Sequence, residues 1–230
     1  AAVRALCLDA ALSLDLSKSN DKKTASKENA RASFLIPRAK AFSTDIGCRV
    51  ADIGIQVHGG MGYVEETGVA QILRDVRVTA IYEGTNGIQA IDLIGRKLAD
   101  NGKAANGLID EMKITISNCS NHEDQQIREM GNRLSKSLVC LESTLNWMLK
   151  QEDFHNRLSG ATPFLQAFGM MLGANYLVKA AMKTDALDRK SLAQFYCVNI
   201  LPEMEAYGVI SQSGQKSLYN FTDNFFGFSQ

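Results

Sequence analysis

At 230 residues with 45% hydrophobic side chains, the chain is long enough for one large or two small domains around a packed core. Its 25 basic and 25 acidic residues cancel, which removes the electrostatic case for nucleic acid or an anionic membrane and leaves a small-molecule enzyme as the better fit. The five cysteines, Cys7, Cys48, Cys119, Cys140 and Cys197, are odd in number and form no CxxC pair, so neither a disulfide framework nor a zinc site is suggested; a reducing, cytoplasmic setting is expected.

The chain opens on Ala1 inside an apolar run, with no initiator Met and no signal-peptide pattern, and so reads as a fragment or a processed piece. Residues 1 to 17 carry Leu6, Leu8, Leu12, Leu14 and Leu16, apolar on more than one face, as expected of a helix enclosed by others. Lys18 to Lys27 reads as a solvated loop or helix end. From Arg31 to Val57, Ala39, Phe42, Ile46, Val50, Ile53 and Val57 recur at steps of three and four, which predicts one long helix with a continuous buried stripe. Pro37 falls in its first third, where a kink is expected. Gly47 and Gly54 would admit a neighbouring helix closely, and Gly59 and Gly60 stop the run.

Glu65 to Arg77 reads as a short helix with acids first and Arg74 and Arg77 last, the sense that complements the helix dipole. Val78 to Tyr82 is expected to be an extended link. A helix from Thr85 to Leu98 should turn Ile88, Ile91, Leu93 and Ile94 inward. Ala99 to Asn106, with Asn101 and Gly102, is the best domain boundary, dividing 1–98 from a helical extension at 99–230. Beyond it, Ser120 and Glu123 read as a capping box for a helix to Gln151, with Leu134, Leu138, Leu141, Leu145 and Met148 as a seam for a partner helix, more simply of the same chain. Thr162 before Pro163 reads as a helix start. Leu165, Phe168, Leu172 and Tyr176 give that helix a buried face, and Gly169 and Gly173 a tight crossing. The apolar run Pro163 to Val178 is interrupted by Gln166 and Asn175 and is too short to span a membrane. A further helix is expected from Ala186 to Glu205, and Gly208 to Gln230 should drape over the surface. The fold class is all α, a helical bundle.

His58, His122 and His155 are too scattered for metal-ligand spacing, and the cysteines read as inert core thiols. Glu83 is different. Followed by Gly84 and Thr85 just before a helix, its carboxylate can project into a cleft, while the first amides of that helix remain free for an oxygen-rich ligand. The plainer reading is an acid that stabilises the helix dipole. The turn at Gly59, Gly60 and Gly62 has a plain reading too, as a helix C-cap.

Read in order, Gln56, Gly59, Gly60, Gly62 and Tyr63, then Glu65 and Glu66, then Arg74, Asp75 and Arg77, then Ile81, Tyr82, Glu83, Gly84, Thr85, Asn86, Ile88 and Gln89 closely resemble the C-terminal helical domain of the acyl-CoA dehydrogenase family. The resemblance covers residues 1 to 98. Residues 105 to 230 resemble the extension of its longer members, those related to methylthiopropionyl-CoA dehydrogenases. Gly87 and Ala90, where short-chain and medium-chain members usually have Gln and Arg, point to the same branch.

The resemblance implies an FAD-dependent desaturation of an acyl-CoA thioester between its α and β carbons. Glu83 would remove the α-proton while the β-hydrogen leaves as hydride to the flavin. Gln56, Val57, His58, Gly59 and Gly60 would lie along the ADP part of FAD, in the family typically that of a neighbouring subunit, so a homodimer or larger homo-oligomer is implied. Thr85 and Asn86 would contact FAD, Tyr82 and Gly84 would border the thioester, and the electron acceptor would be an electron-transfer flavoprotein. The family's N-terminal helical domain and middle β-domain are not in this sequence, so the chain by itself is not expected to turn over. The other readings are an oxidase that hands electrons to oxygen, and a non-catalytic module docking through the Leu134 to Met148 seam.

Overall fold

The computed structural model describes residues 1–184 and 186–221, and among these every regular element is helical. Helix α1 (Ala2–Leu16) packs along α2 (Lys22–His58), which starts where both Asp21 carboxylate oxygens accept from the Lys23 and Thr24 amides. That cap turns part of the expected polar loop into helix. The glycine turn leads into α3 (Gly60–Tyr63) and a 3₁₀ turn (Glu65–Thr67); then come α4 (Val69–Arg77) and α5 (Asn86–Asp92), the latter running on as a π-helical turn (Leu93–Lys97). After Gly102 come α6 (Lys103–Ser120), α7 (Gln125–Lys150), α8 (Phe154–Ser159), α9 (Ala161–Ala181), α10 (Leu187–Phe195) with a π-helical turn (Tyr196–Ile200), α11 (Glu203–Ser211) and α12 (Lys216–Tyr219).

Helix α9 is the axis of the molecule. It is buried all round, between α1, α2 and α5 on one side and α7, α10 and α11 on the other, as an apolar sequence without a polar face requires. Both of its crossing glycines are used. A Cβ on Gly169 would stand 2.7 Å from the Phe42 ring, and one on Gly173 would stand 2.6 Å from the Tyr196 hydroxyl. The seam Leu134, Leu138, Leu141, Leu145 and Met148 is buried inside the chain, where α7 meets α6, α9 and α11. No side chain of that seam is left for an outside partner.

A polar cluster joins α1 and α2 to α6 and α9. Arg31 on α2 pairs with Asp9 on α1 at 2.7 Å and with Glu111 on α6, and the Tyr176 hydroxyl on α9 donates to Asp9. Burial opposes the Arg31 charge, yet Asp9 and Glu111 outweigh it and leave its pKa raised. Burial, then the Asp9 charge, pushes the Tyr176 hydroxyl far up. One hydrophobic cluster runs from Ala2 to Met204 across the expected boundary.

Several local expectations change. The α2 stripe is buried at Phe42, half-buried at Ile46 and exposed at Val50, Ile53 and Val57, because α4 and α3 meet this part of α2 at Gly47 and Ile55 and no described element covers the stripe. Leu8, Leu12, Leu14 and Leu16 of α1 are likewise exposed. Gly47 meets Val76 as expected, whereas Gly54 faces open space. Gly68, at φ 73°, divides the segment Glu65 to Arg77 in two. Val78–Ala80 forms a 3₁₀ turn in place of an extended link, and Ile88 and Ile91 are exposed while Leu93 and Ile94 are buried. Ser120 ends α6, and the cap of α7 is Asp124, which accepts from the Gln126 amide. Helix α9 begins at Ala161 after Gly160, so Thr162 and Pro163 lie in its first turn. The segment Ala186 to Glu205 is broken by the π-turn and Pro202, and α11 and α12 occupy part of the expected tail; residues 222–230 lie outside the described ones.

Candidate functional site

The turn before α5 is built around two left-handed residues. Glu83 has φ 53° and Gly84 φ 87°. Glycine adopts this region freely, but a glutamate there is held against a cost of about 1 kcal/mol or more. Thr85 then caps α5, its hydroxyl accepting from the Ile88 amide at 3.4 Å, and Gln89 Nε2 donates to the Glu83 carbonyl at 3.4 Å. The cap is thus supplied by Thr85. The exposed Glu83 carboxylate makes no hydrogen bond or ion pair with any described residue, and Tyr82 beside it is also exposed.

Asn86, the first residue of α5, locks this turn to α2. Its Nδ2 donates to the Ala41 carbonyl at 3.2 Å and to Asp45 Oδ1 at 2.6 Å, and its Oδ1 accepts from Lys40 Nζ at 2.8 Å. The Thr44 hydroxyl lies 2.9 Å from Nδ2 and 3.1 Å from Oδ1. The side-chain amide is therefore committed inside the chain, and what Asn86 can offer a ligand is backbone. The sequence reading missed Lys40, Thr44 and Asp45, which look like ordinary polar positions of α2 until α5 is packed against them.

The second group of residues stands at the far end of α2. Gln56, Val57, His58, Gly59 and Gly60 are all exposed. His58 Nδ1 lies 2.8 Å from the Gly54 carbonyl, leaving Nε2 outward. Gly59, at φ 59° and ψ −140°, ends the helix in a conformation that favours glycine, with nothing within 4 Å of where a Cβ would be. Gly62 is needed for packing, since a Cβ there would lie 2.4 Å from the Ile55 carbonyl oxygen. The two Glu65 oxygens accept from Arg74 at 2.9 and 2.8 Å, a bidentate pair that holds the 3₁₀ turn to α4 and lowers the Glu65 pKa, first through the hydrogen bond and then through the charge. A cavity of 560 Å³ lies beside this turn, lined by Ile55, Tyr63, Val64, Glu65, Glu66, Ala70, Leu73 and Arg74.

These two groups are not brought together within one chain. Asp45, which anchors the Glu83 turn, and Gln56 lie on the same helix, roughly 17 Å apart along it at ~1.5 Å per residue. The remaining candidates offer little chemistry. No group of three or more His, Cys, Asp or Glu among the described residues could hold a metal. Burial pushes the Cys119 thiol up to about 11 and the Cys197 thiol up to about 12, so both are protonated at neutral pH. Cys7, expected to be a core thiol, is exposed.

Two family models match in tandem: the acyl-CoA dehydrogenase C-terminal domain over residues 1–99, and the acetyl-CoA dehydrogenase C-terminal-like domain over residues 108–222. The chain belongs to the acyl-CoA dehydrogenase family. It is 34% identical to the 3-methylmercaptopropionyl-CoA dehydrogenase of Ruegeria pomeroyi over 186 residues, which is 80% of this chain and 32% of that protein. It is 28% identical to the butyryl-CoA dehydrogenase of Syntrophomonas wolfei over 221 residues, 88% of this chain and 36% of that protein. The chain therefore spans about a third of the length of these relatives. Its fold is shared with ACDH-11 of Caenorhabditis elegans, solved in complex with C11-CoA, at a TM-score of 0.73 and 22% identity over 86% of this chain and 33% of that one. An acyl-CoA dehydrogenase of Bacillus anthracis complexed with FAD gives a TM-score of 0.58 and 20% identity, covering 91% and 40%. As a member of this family the chain matches its helical C-terminal domains. No described helix is long and apolar enough to cross a membrane.

Proposed function

We propose that the complete protein is an FAD-dependent acyl-CoA dehydrogenase in which Glu83 is the base that removes the α-proton of an acyl-CoA thioester. The observation that carries this reading is the Glu83 carboxylate itself: exposed, unpartnered among the described residues, and held at φ 53° by a turn whose capping duty falls to Thr85. An acid kept only for the helix dipole would not need that backbone conformation.

FAD, when bound, supplies the hydride acceptor for the β-hydrogen. The residues at the C-terminal end of α2 suit such a large, oxygen-rich ligand. Bare glycine backbone at Gly59 and Gly60 admits close approach, the Gln56 amide and His58 Nε2 are outward polar groups, and Val57 offers an apolar contact. Their distance from the Glu83 turn fits an assembly in which Gln56 to Gly60 of one copy serve the flavin of a neighbour, while Thr85 and the Asn86 backbone serve the flavin of their own. Tyr82 and Gly84 would flank the thioester, whose enolate charge is stabilised where the backbone amide of Glu83 points to the carbonyl oxygen. Enclosure by bound acyl-CoA would exclude water from the carboxylate and leave it better placed to take the proton. Residues 1–98 carry the site in this reading and 99–230 form the extension; a CoA thioester as substrate is supported by the names of the relatives above, and an electron-transfer flavoprotein is the proposed acceptor.

In the full-length enzyme, Glu83→Gln is expected to retain flavin and to lose about 10²- to 10⁴-fold in the rate at which acyl-CoA bleaches the flavin under nitrogen. Bleaching at the wild-type rate would reject Glu83 as the base. Peroxide release in air by the unaltered enzyme would favour an oxidase over a dehydrogenase.

A further inference from the structure

Behind the Glu83 turn lies a line of hydrogen bonds that begins in the extension. Gln166, on the buried helix α9, donates from Nε2 to Asp45 Oδ2 at 2.6 Å. The other oxygen of that carboxylate accepts from Asn86 Nδ2, also at 2.6 Å. Asn86 opens α5 and is separated from Glu83 only by Gly84 and Thr85.

We infer that Gln166 is a positioning residue for the site: through Asp45 it fixes the Asn86 amide, and with it the turn that presents Glu83. The inference rests on the reading of Glu83 as the base. A carboxylate whose two oxygens each meet a fixed donor cannot swing about its terminal torsion, so Asp45 presents Oδ1 to Asn86 in one orientation. Gln166 achieves this as a neutral donor. It leaves the Asp45 charge for Asn86, where an arginine or lysine would neutralise it. An amide in this place is otherwise hard to explain, because Gln166 is 9% exposed on a helix where a leucine could be buried without desolvating a polar group. The site would then be oriented partly by residue 166, far outside the segment 56–89 that carries the motif, and the extension would act on the chemistry as well as cover the core.

The test uses the full-length, flavin-loaded enzyme and the rate of flavin bleaching under nitrogen with a panel of straight-chain acyl-CoA thioesters. Gln166→Leu is expected to lower the saturating rate about tenfold while half-saturation stays within about twofold, since the substrate does not touch this residue. In the double variant Gln166→Glu, Asp45→Asn the bond runs in the opposite direction and the acceptor for Asn86 is kept, so the rate should return to within about threefold of wild type. A role in packing alone predicts no such recovery. Glu83→Gln, measured alongside, separates the two ideas. Inactive Glu83→Gln with unimpaired Gln166→Leu, or with a double variant no better than Gln166→Leu, overturns the positioning role and leaves the base in place. Fully active Glu83→Gln overturns both.

Discussion

Helices α2 and α9 carry apolar residues at the same three-and-four spacing, and they meet opposite fates. Along α9 Phe164, Phe168, Met171 and Val178 are each at 0% exposure, and of its expected face only Tyr176 is half-buried. Along α2 burial stops near Ile46, and Val50 and Val57 stand 62% and 79% exposed. The exposed apolar surface then continues over Met61, Tyr63, Ile72, Ile81, Tyr82 and Ile88, the same stretch that holds the candidate site. Periodicity therefore reports that a helix needs a covering surface, and is silent on whether its own chain supplies one. In this molecule α9 is covered by its own chain, whereas the far half of α2 leaves its apolar stripe exposed.

If α9 is the axis, its crossing with α2 should tolerate no added atom. Gly169→Ala places a methyl 2.7 Å from the Phe42 ring, on two helices that are both held elsewhere. We expect a loss of about 2–3 kcal/mol, read as a lower midpoint in urea. A midpoint equal to that of the unaltered chain would mean that the crossing is loose and that the contrast between the two helices is overstated.

Much of this arrangement is legible in the sequence. The seam of α7, the stop at Gly59, the all-helical class and the glycine crossings of α9 follow from spacing and from local backbone chemistry. The motif from Gln56 to Gln89 marked the turn at Glu83. What could not be read depends on contacts between distant segments. Asp45 and Gln166 are 121 residues apart, and neither looks unusual until α2 and α9 are packed. Arg31 was one more charged residue at a helix start until Asp9 and Glu111 closed around it. The helix boundaries that moved, at Asp21, Gly68 and Asp124, moved because a single side-chain cap or left-handed glycine decides them, and several candidates stood within a few residues of each.

Arg38 sharpens the comparison from the other direction, since it lies where α2 is still deeply covered by α9. It is fully buried, with its guanidinium 3.5 Å from the Phe34 ring centroid and 4.3 Å from that of Phe168. Only Nη1 has an acceptor, the Phe34 carbonyl at 2.6 Å, while Nε and Nη2 have none among the described residues. Burial holds its pKa well below the ordinary arginine range. The ring faces return some of the lost hydration but give the N–H groups of these two nitrogens no conventional acceptor. Arg38→Met keeps an unbranched, flexible apolar stem, removes the buried charge and brings a sulfur to the aromatic rings, so we expect a gain of about 1–2 kcal/mol and a thermal midpoint higher by several degrees. A lower midpoint would show that the buried charge has a stabilising partner.

The smallest expected effect lies at the open end of α2. Val50 is 62% exposed, and valine and serine differ little in helix propensity, so Val50→Ser should change the stability of this 230-residue chain by no more than about 0.5 kcal/mol. The value of so small a number is its dependence on what covers the face. If the chain stays monomeric in solution, the substitution is neutral at every protein concentration. If a second copy covers the stripe, mass action makes the unaltered chain's midpoint rise with concentration, and Val50→Ser should flatten that rise. Urea midpoints measured across a hundredfold range of concentration separate the two cases, and a concentration-dependent loss at Val50 would remove the contrast between a self-contained α9 and an uncovered α2.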